Sequence, residues 1–259
     1  MTSTASTGMA FAFEAGATTH AGRVRQANED AHAAMPEYGV WVVADGMGGH
    51  AGGQLASRTV TAECANVGLA SSLADLGSRL GGCLTVASGK IRQIAKSQGR
   101  AIIGSTVVAL LIHDGRYSCV WAGDSRVYLL RDGIFTQVSR DHSEVQELVD
   151  AGVITPEQAR TWPRRNAITR AVGVGDELRL DEVGGDLRAD DIFLLCSDGL
   201  TTHLTDGEIT ALLHGMPPQQ ACDALVEAAL EKGGSDNVTV MTVRCQAVGP
   251  PRTAATTVV

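Results

Sequence analysis

Short apolar runs separated by turn residues dominate the middle of the chain. The runs STVVALLIH, RYSCVWAG, SRVYLLR and IFTQVS follow one another between residues 105 and 139. Asp114-Gly115 joins the first two runs and Asp132-Gly133 joins the last two. An Asp-Gly pair between two β-type runs is typical of a two-residue hairpin turn. The pattern therefore predicts two antiparallel hairpins.

Two other apolar runs lead into an acidic residue. VWVVA, around residues 41–44, ends at Asp45, and IFLLC at 192–196 is followed closely by Asp198. Both runs are predicted to be short buried strands. A last strand is predicted in NVTVMTVRC, residues 237–245.

Helical patterns occupy most of the remaining chain. Helices are predicted at about 54–69, 73–96, 205–214 and 218–231, with helical character over 143–161, where Pro156 suits a first helical turn. Antiparallel hairpins combined with paired helices favour packed sheets flanked by helices over a parallel βαβ fold. The predicted class is α+β.

The two ends of the chain differ from its centre. Residues 1–9 are small and polar, and residues 248–259 are rich in Pro and Thr, so both are expected to be disordered. No linker or internal repeat interrupts residues 10–247, which predicts a single domain.

Composition and charge narrow the function. The chain has 259 residues and a net charge of −8, which argues against a nucleic-acid binder and a polybasic membrane-surface protein. Six scattered cysteines without a Cys-x-x-Cys pair indicate buried thiols in a reduced compartment. Without a signal sequence or a long apolar segment, the expected location is cytoplasmic, with no membrane contact. A monomer is expected.

Five Asp-Gly pairs occur in the chain, and three have simple structural explanations. Two lie in the predicted hairpins, and Asp206-Gly207 follows Thr205 where a helix is predicted to begin. Asp45 and Asp198 instead close buried strands, where a carboxylate is costly unless a positive partner meets it. A metal ion is the simplest such partner. The glycine-rich stretch after Asp45 is consistent with a flexible loop, a phosphate cradle or a bare carbonyl that ligates a metal.

The acidic residues at strand and loop ends form a larger pattern. Taken singly, each is explained as a turn or surface residue. Taken together, they predict an oxygen-ligand site of the kind that Mg²⁺ or Mn²⁺ prefers. The members of the pattern are Asp30, Asp45, Asp124, Asp198 and Asp236.

The ordered motifs resemble those of a known family. Seven segments are similar to the motif series of the metal-dependent Ser/Thr protein phosphatases, type 2C, in their compact bacterial form: RQANEDA, VVADGMGGHAGG, GSTVVA, WAGDSRVYLLR, DHSEVQELVDAGVITPEQAR with RRNAITRAVG, LLCSDGLT and SDNVTVM. The resemblance extends from about residue 19 to residue 244. It implies a four-layer α-β-β-α sandwich of two antiparallel sheets with a small flap over residues 140–172.

The same resemblance implies a binuclear Mn²⁺ or Mg²⁺ centre. Asp45 would bridge the two ions, and the carbonyl of Gly46 would ligate one of them. The other implied roles are direct ligation by Asp198 and Asp236, largely water-mediated ligation by Asp30 and Glu29, and binding of a third, weaker metal by Asp124.

Substrate-handling residues are also implied by motif position. Arg25 would grip the substrate phosphate, although a lone arginine is more often a surface salt-bridge partner. His50 would be the general acid, because an imidazole with an ordinary pKa near 6.5 can protonate a leaving alkoxide. His142 and Ser143 lie in the flap, where His142 is equally consistent with loop packing.

The implied activity is hydrolysis of phosphoserine and phosphothreonine in proteins. A water or hydroxide bridging two ions would attack in line, and the protein would reverse the action of a bacterial Ser/Thr kinase. Two alternatives remain at this stage: a catalytically silent phosphoprotein-binding pseudophosphatase, and a metallohydrolase acting on small phosphoesters.

Overall fold

The structure, a computed structural model, describes residues 10–49, 51–99, 102–159 and 161–248. Its strands, in chain order, are β1 (Ala10–His20), β2 (Asp30–Met35), β3 (Val40–Met47), β4 (Gly104–Ser105), β5 (Val107–His113), β6 (Arg116–Ala122), β7 (Arg126–Arg131), β8 (Ile134–Gln137), β9 (Asp181–Asp186), β10 (Ile192–Cys196) and β11 (Val238–Val248). One sheet has the order β1-β11-β10-β7-β8, and the other has the order β2-β3-β5-β6-β9, with β4 paired to β3. The strand pairs in both sheets are antiparallel.

Helices accompany each sheet. In chain order they are α1 (Ala51–Cys64), α2 (Leu73–Ser97), α3 (Glu144–Asp150), α4 (Pro156–Ala159), α5 (Asp198–His203), α6 (Asp206–Leu213) and α7 (Pro218–Glu231). No helix in the described ranges combines the length and the apolar character that crossing a membrane would require.

Alternating side chains of the strands build three apolar layers. In β3, Trp41 and Val43 point into the layer between the two sheets, while Val42 faces the layer beneath α1 and α2. The third layer lies between the first sheet and helices α5 to α7, where Leu194 of β10 contributes. The layer order is therefore α-β-β-α, which confirms the predicted α+β class.

Both predicted hairpin turns are confirmed. The first central residue of each turn has a positive φ, 47° at Asp114 and 53° at Asp132. The φ angle of the glycine that follows each aspartate is also positive. Positive φ at both central positions is the conformation that makes Asp-Gly so frequent in these turns. The predicted start of α6 is also confirmed, because Thr205 and Glu208 form a reciprocal capping box.

Several predicted boundaries were wrong. The helix predicted at 54–69 is α1 and ends at Cys64, before a turn in which Gly68 has a φ of 68°. The helical region predicted at 143–161 is divided into α3 and α4, because Gly152 adopts a φ of 67° between them. β11 continues to Val248, one residue into the predicted tail. The predicted disorder of residues 1–9 and 249–259 lies outside the described residues.

Four elements named above had no counterpart in the sequence-based prediction. They are β1, β2, the edge strand β9 and the short helix α5, which begins at Asp198. β3 and β10 both run toward one end of the sandwich, and β11 starts from that end beside Asp236. The carboxylates predicted from the motifs therefore meet at a single end of the two sheets.

Candidate metal centre

Two carboxylates face each other across a strand pair at this end. Asp30 of β2 and Asp45 of β3 are direct cross-strand partners. Like charges directly opposite one another in a sheet are destabilising. Asp30 is also buried, with 6% of its surface exposed. The strand register thus brings together two carboxylates that need a shared positive partner.

The Asp30 carboxylate is only partly satisfied by the protein. Its Oδ2 accepts hydrogen bonds from Ser197 Oγ at 2.8 Å and from Thr239 Oγ1 at 2.7 Å. Its Oδ1 is buried and has no hydrogen-bond partner among the residues that the structure describes. Burial raises the pKa of Asp30 to about 6, although the two hydroxyl donors act in the opposite direction.

The cluster around Asp30 and Asp45 contains three further carboxylates, those of Asp124, Asp198 and Asp236. Burial, followed by the charge of Asp30, raises the pKa of Asp45 well above its ordinary value. Burial and the charge of Asp236 raise the pKa of Asp198 to about 6, and burial and the charge of Asp198 raise that of Asp124 to about 8. The structure therefore brings together all five aspartates that the sequence predicted as a group.

The backbone of Asp45 is held by the GST segment. Asp45 N donates to Thr106 Oγ1 at 2.9 Å, and Thr106 N donates to Asp45 O at 2.8 Å. Ser105 Oγ also donates to Asp45 O, and Thr106 Oγ1 lies 2.7 Å from Ser125 Oγ, beside Asp124. Sequence reasoning recognised this segment as a motif but missed that its hydroxyls connect two acidic loops.

Glycines pack the Asp45 loop tightly against Glu29. Gly46 N donates to the backbone oxygen of Glu29 at 3.1 Å. A Cβ at Gly46 would lie 2.7 Å from that same oxygen, and a Cβ at Gly53 would lie 2.8 Å from Glu29 Oε1. Both positions therefore require glycine. Within the described ranges, Glu29 Oε1 is buried without a hydrogen-bond partner. Burial raises the pKa of Glu29, although the charge of Arg25 and the backbone of Gly53 act in the opposite direction.

Arg25 lies at the rim of the cluster. Its Nη2 donates to Asp236 Oδ2 at 2.8 Å, and 56% of the Arg25 side chain is exposed. The predicted phosphate-binding arginine is thus paired here with a predicted metal ligand. His50, the predicted general acid, lies outside the described residues.

Asn237 was missed by sequence reasoning. Its Oδ1 accepts from Glu29 N at 2.7 Å, and its Nδ2 donates to the backbone oxygens of Ala21 and Ala27 at 2.8 and 2.9 Å. It therefore ties the loop carrying Arg25 to the start of β11. The only sequence signal was its place in the SDNVTVM motif.

The flap residues singled out from the sequence are buried. His142 Nδ1 accepts from Gly123 N at 3.2 Å, and Ser143 Oγ accepts from Gln146 N at the start of α3. The arrangement favours packing roles for both side chains at the base of the flap. A direct contact of either with substrate stays a prediction.

The donor set fits a hard divalent cation. Among the described residues, no three His, Cys, Asp or Glu side chains already surround one point at ligand distance. In the part of the chain that the structure describes, the buried oxygens of Glu29 and Asp30 without hydrogen-bond partners and the mutual repulsion of the aspartates nevertheless give a concentration of oxygen donors suited to a divalent cation. Thiolate chemistry does not compete, because burial raises the pKa of the buried cysteines, Cys222 for example to about 11.

Comparison with known proteins identifies the class. A sequence profile described as Protein phosphatase 2C matches residues 18–232. The chain therefore belongs to the protein phosphatase 2C family.

Individual relatives agree with this assignment. The serine/threonine protein phosphatase PstP of Mycobacterium tuberculosis is 39% identical over 221 residues, covering 85% of this chain, and this chain spans 42% of the length of PstP. The structure of PppA, a key regulatory component of T6SS in Pseudomonas aeruginosa, superposes with a TM-score of 0.84 at 41% identity, over 90% of this chain and 97% of PppA. The structure of the catalytic domain of PstP in complex with two manganese ions superposes with a TM-score of 0.81 at 35% identity. The match covers 92% of this chain and 100% of the PstP chain.

Proposed function

We propose that this protein is a metal-dependent phosphatase that removes phosphate from phosphoserine and phosphothreonine in proteins. The observation that carries the proposal is the opposition of Asp30 and Asp45, with further carboxylates around them and buried oxygens that lack partners. Such a cluster is stable only with cations or protons present. Family membership and the serine/threonine phosphatase activity of the relative PstP support the same conclusion.

The proposed ligands are oxygen atoms of this chain. Asp45, the carbonyl of Gly46, Asp198 and Asp236 would hold two Mn²⁺ or Mg²⁺ ions, with Asp30 and Glu29 acting through water. Bound divalent ions supply positive charge and lower the pKa of the attacking water. Asp124 would take part in a third, weaker site. The complex of the PstP catalytic domain with two manganese ions supports the choice of metal.

Arg25 and His50 would handle the substrate. A cation near Asp236 would compete with Arg25 for the Asp236 carboxylate. Arg25 would then release Asp236 and donate two hydrogen bonds to the phosphoryl group of the substrate. His50 would donate a proton to the leaving serine or threonine oxygen.

The substrate would be the product of a Ser/Thr kinase, acted on by a monomeric phosphatase. PppA, to which this chain is similar, is a regulatory component of a bacterial system, which supports a regulatory role. The filled carboxylate positions and the presence of Arg25 weigh against a silent phosphoprotein-binding module.

The test is hydrolysis of a phosphothreonine peptide by the purified protein. We expect turnover with Mn²⁺, none with EDTA, and a loss of at least about 100-fold in Asp236→Ala with Mn²⁺, since ligand and charge are both removed. Asp176→Ala, at an exposed loop position, is the matched control and should keep full activity. Folded protein that binds Mn²⁺ without turnover would support the binding module instead. Activity that survives both EDTA and Asp236→Ala would refute the carboxylate assignment.

A further inference from the structure

The carboxylate of Asp181, which lies outside the flap, contacts side chains at both ends of the flap. Asp181, the first residue of β9, has its Oδ2 3.1 Å from Nε2 of His142, near the start of the flap. Its Oδ1 accepts from Nη1 of Arg170, near the end of the flap, at 2.6 Å. Because Nδ1 of His142 accepts from the backbone N–H of Gly123, the neutral ring carries its proton on Nε2 and donates a hydrogen bond to Asp181. Nη1 of Arg170 lies 3.3 Å from the same Nε2, so the three side chains meet at one point.

An indole completes this arrangement. Trp121 of β6 is the cross-strand partner of Asp181. Its ring stacks on the imidazole of His142, with centroids 6.0 Å apart and planes 20° apart, and its Nε1 donates to Arg140 O at 2.8 Å. We call the side chains of Trp121, His142, Arg170 and Asp181 the flap clasp.

The two flap ends also adjoin the carboxylate cluster. His142 N donates to Gly123 O at 2.9 Å, directly before Asp124. At the other end, Val172 exchanges two backbone hydrogen bonds with Ser105, whose Oγ donates to Asp45 O. The flap therefore projects from the rim of the candidate metal centre.

The exposure of the two Asp181 contacts indicates that the main role of Asp181 is to orient the flap. Its side chain is 46% exposed, so its ion pair with Arg170 is screened by solvent and contributes little by itself. His142 is only 7% exposed, and its buried N–H needs an acceptor. Asp181 supplies that acceptor and fixes the angle at which the flap leaves the sheet.

We propose that Asp181 is a positioning residue for phosphoprotein binding, acting through His142 and Arg170 on the whole flap. The proposal rests on the phosphatase function proposed above. A small aryl phosphate needs only the carboxylate cluster and Arg25. A phosphopeptide long enough to pass the rim also lies along the flap, so a misdirected flap weakens peptide binding alone.

The test compares KM and kcat for a phosphothreonine peptide and for p-nitrophenyl phosphate at saturating Mn²⁺. In Asp181→Ala we expect the peptide KM to rise roughly tenfold with little change in kcat. The KM for p-nitrophenyl phosphate should stay within about twofold. Asp181→Asn keeps an acceptor for His142 and should give a smaller rise. The matched control is Asp186→Asn on the same strand, whose exposed carboxylate pairs with Arg116, and it should behave as wild type.

Hydrogen exchange provides a second readout. Amides of residues 141–172 should exchange faster in Asp181→Ala, while those of β3 and β10 keep the wild-type rate. Equal effects on both substrates, or no effect on the peptide, would overturn the proposal. If the wild type hydrolyses neither substrate, the phosphatase function fails on its own. In that case, the clasp is judged by phosphopeptide affinity: roughly tenfold weaker binding in Asp181→Ala supports it, and unchanged binding rejects it.

Discussion

At the scale of single residues, Asp30 illustrates how a binding site conflicts with stability. Its carboxylate faces Asp45, and one of its oxygens is buried without a donor. The ordinary pKa of an Asp side chain is 3.8, and burial raises that of Asp30 to about 6. Holding this group ionised at neutral pH therefore lowers the stability of the metal-free fold.

This cost predicts that Asp30→Asn stabilises the metal-free protein. The amide oxygen can still accept from Ser197 and Thr239, while the substitution removes the charge that opposes Asp45. We expect a gain of about 1 to 3 kcal/mol in the free energy of unfolding with EDTA, and Mn²⁺ binding at least roughly tenfold weaker. Urea unfolding and titration calorimetry measure the two effects.

The exposed variant Asp132→Asn is the control for Asp30→Asn. It removes the same charge from a residue whose side chain is 75% exposed and paired with Arg188. The free energy of unfolding and the affinity for Mn²⁺ should therefore both stay near the wild-type values. A metal-free Asp30→Asn protein less stable than wild type would contradict the argument.

At the scale of elements, α5 connects two parts of the metal centre. It begins at Asp198 and ends at His203, and Nε2 of His203 accepts from Ser235 N at 2.9 Å. Ser235 directly precedes Asp236. One short helix therefore carries one predicted ligand and holds the loop that carries another.

We expect His203→Ala to weaken Mn²⁺ binding roughly tenfold, because the loop before Asp236 loses the acceptor that orients it. His203→Gln, which offers an amide oxygen to Ser235 N, should restore most of the affinity. Titration calorimetry measures the effect, and His214→Ala, at an exposed position after α6, is the control. Equal affinities in all three variants would show that the loop holds its position without α5.

Elements with strong local patterns were predictable from the sequence. The two hairpins follow from Asp-Gly pairs between β runs, and α6 follows from its capping box. β9 could not be predicted, because DEVGGD lacks an apolar alternation and forms a strand only by pairing with β6 at the sheet edge. α5 is too short to give a helical period.

The site was predictable as a set of residues but not as a network. Acidic residues at the ends of apolar strands indicated the cluster, because a buried charge requires a partner. The connections that Asn237 makes with Glu29, Thr106 with Asp45 and Asp181 with His142 join segments far apart in the chain, and local sequence carries no signal for such hydrogen bonds. They become visible only when the strand register is known.

At the scale of the whole molecule, the cluster predicts an unusual dependence of stability on pH. The pKa values of Asp30 and Asp198 are raised to about 6, and that of Asp124 to about 8, from an ordinary 3.8. The folded state therefore binds more protons than the unfolded state between these values, so stability falls as pH rises from about 4 to about 8. Burial lowers the pKa of His32 and His142, which opposes this trend but involves fewer groups.

Metal should reverse the trend, because cations replace the lost protons. We expect the metal-free protein to have a lower melting temperature at pH 8 than at pH 5.5, and Mn²⁺ to raise it more at pH 8. Thermal unfolding with EDTA and with Mn²⁺ at both pH values measures this. A melting temperature indifferent to metal at pH 8 would contradict a metal centre in this cluster.

The pairing of β1 with β11 has a consequence for how this fold can be joined to other polypeptides. Ala10 lies opposite Val248, whereas His20 lies opposite Val238 beside the carboxylates. A strand of this length spans about 35 Å. A tag or partner domain fused before Ala10 or after Val248 thus departs from a shared corner at the far end of the sandwich. A fusion joined before Ala10 or after Val248 should leave the entrance to the carboxylate cluster open, and the pairing of these two residues favours a circular permutation that links them.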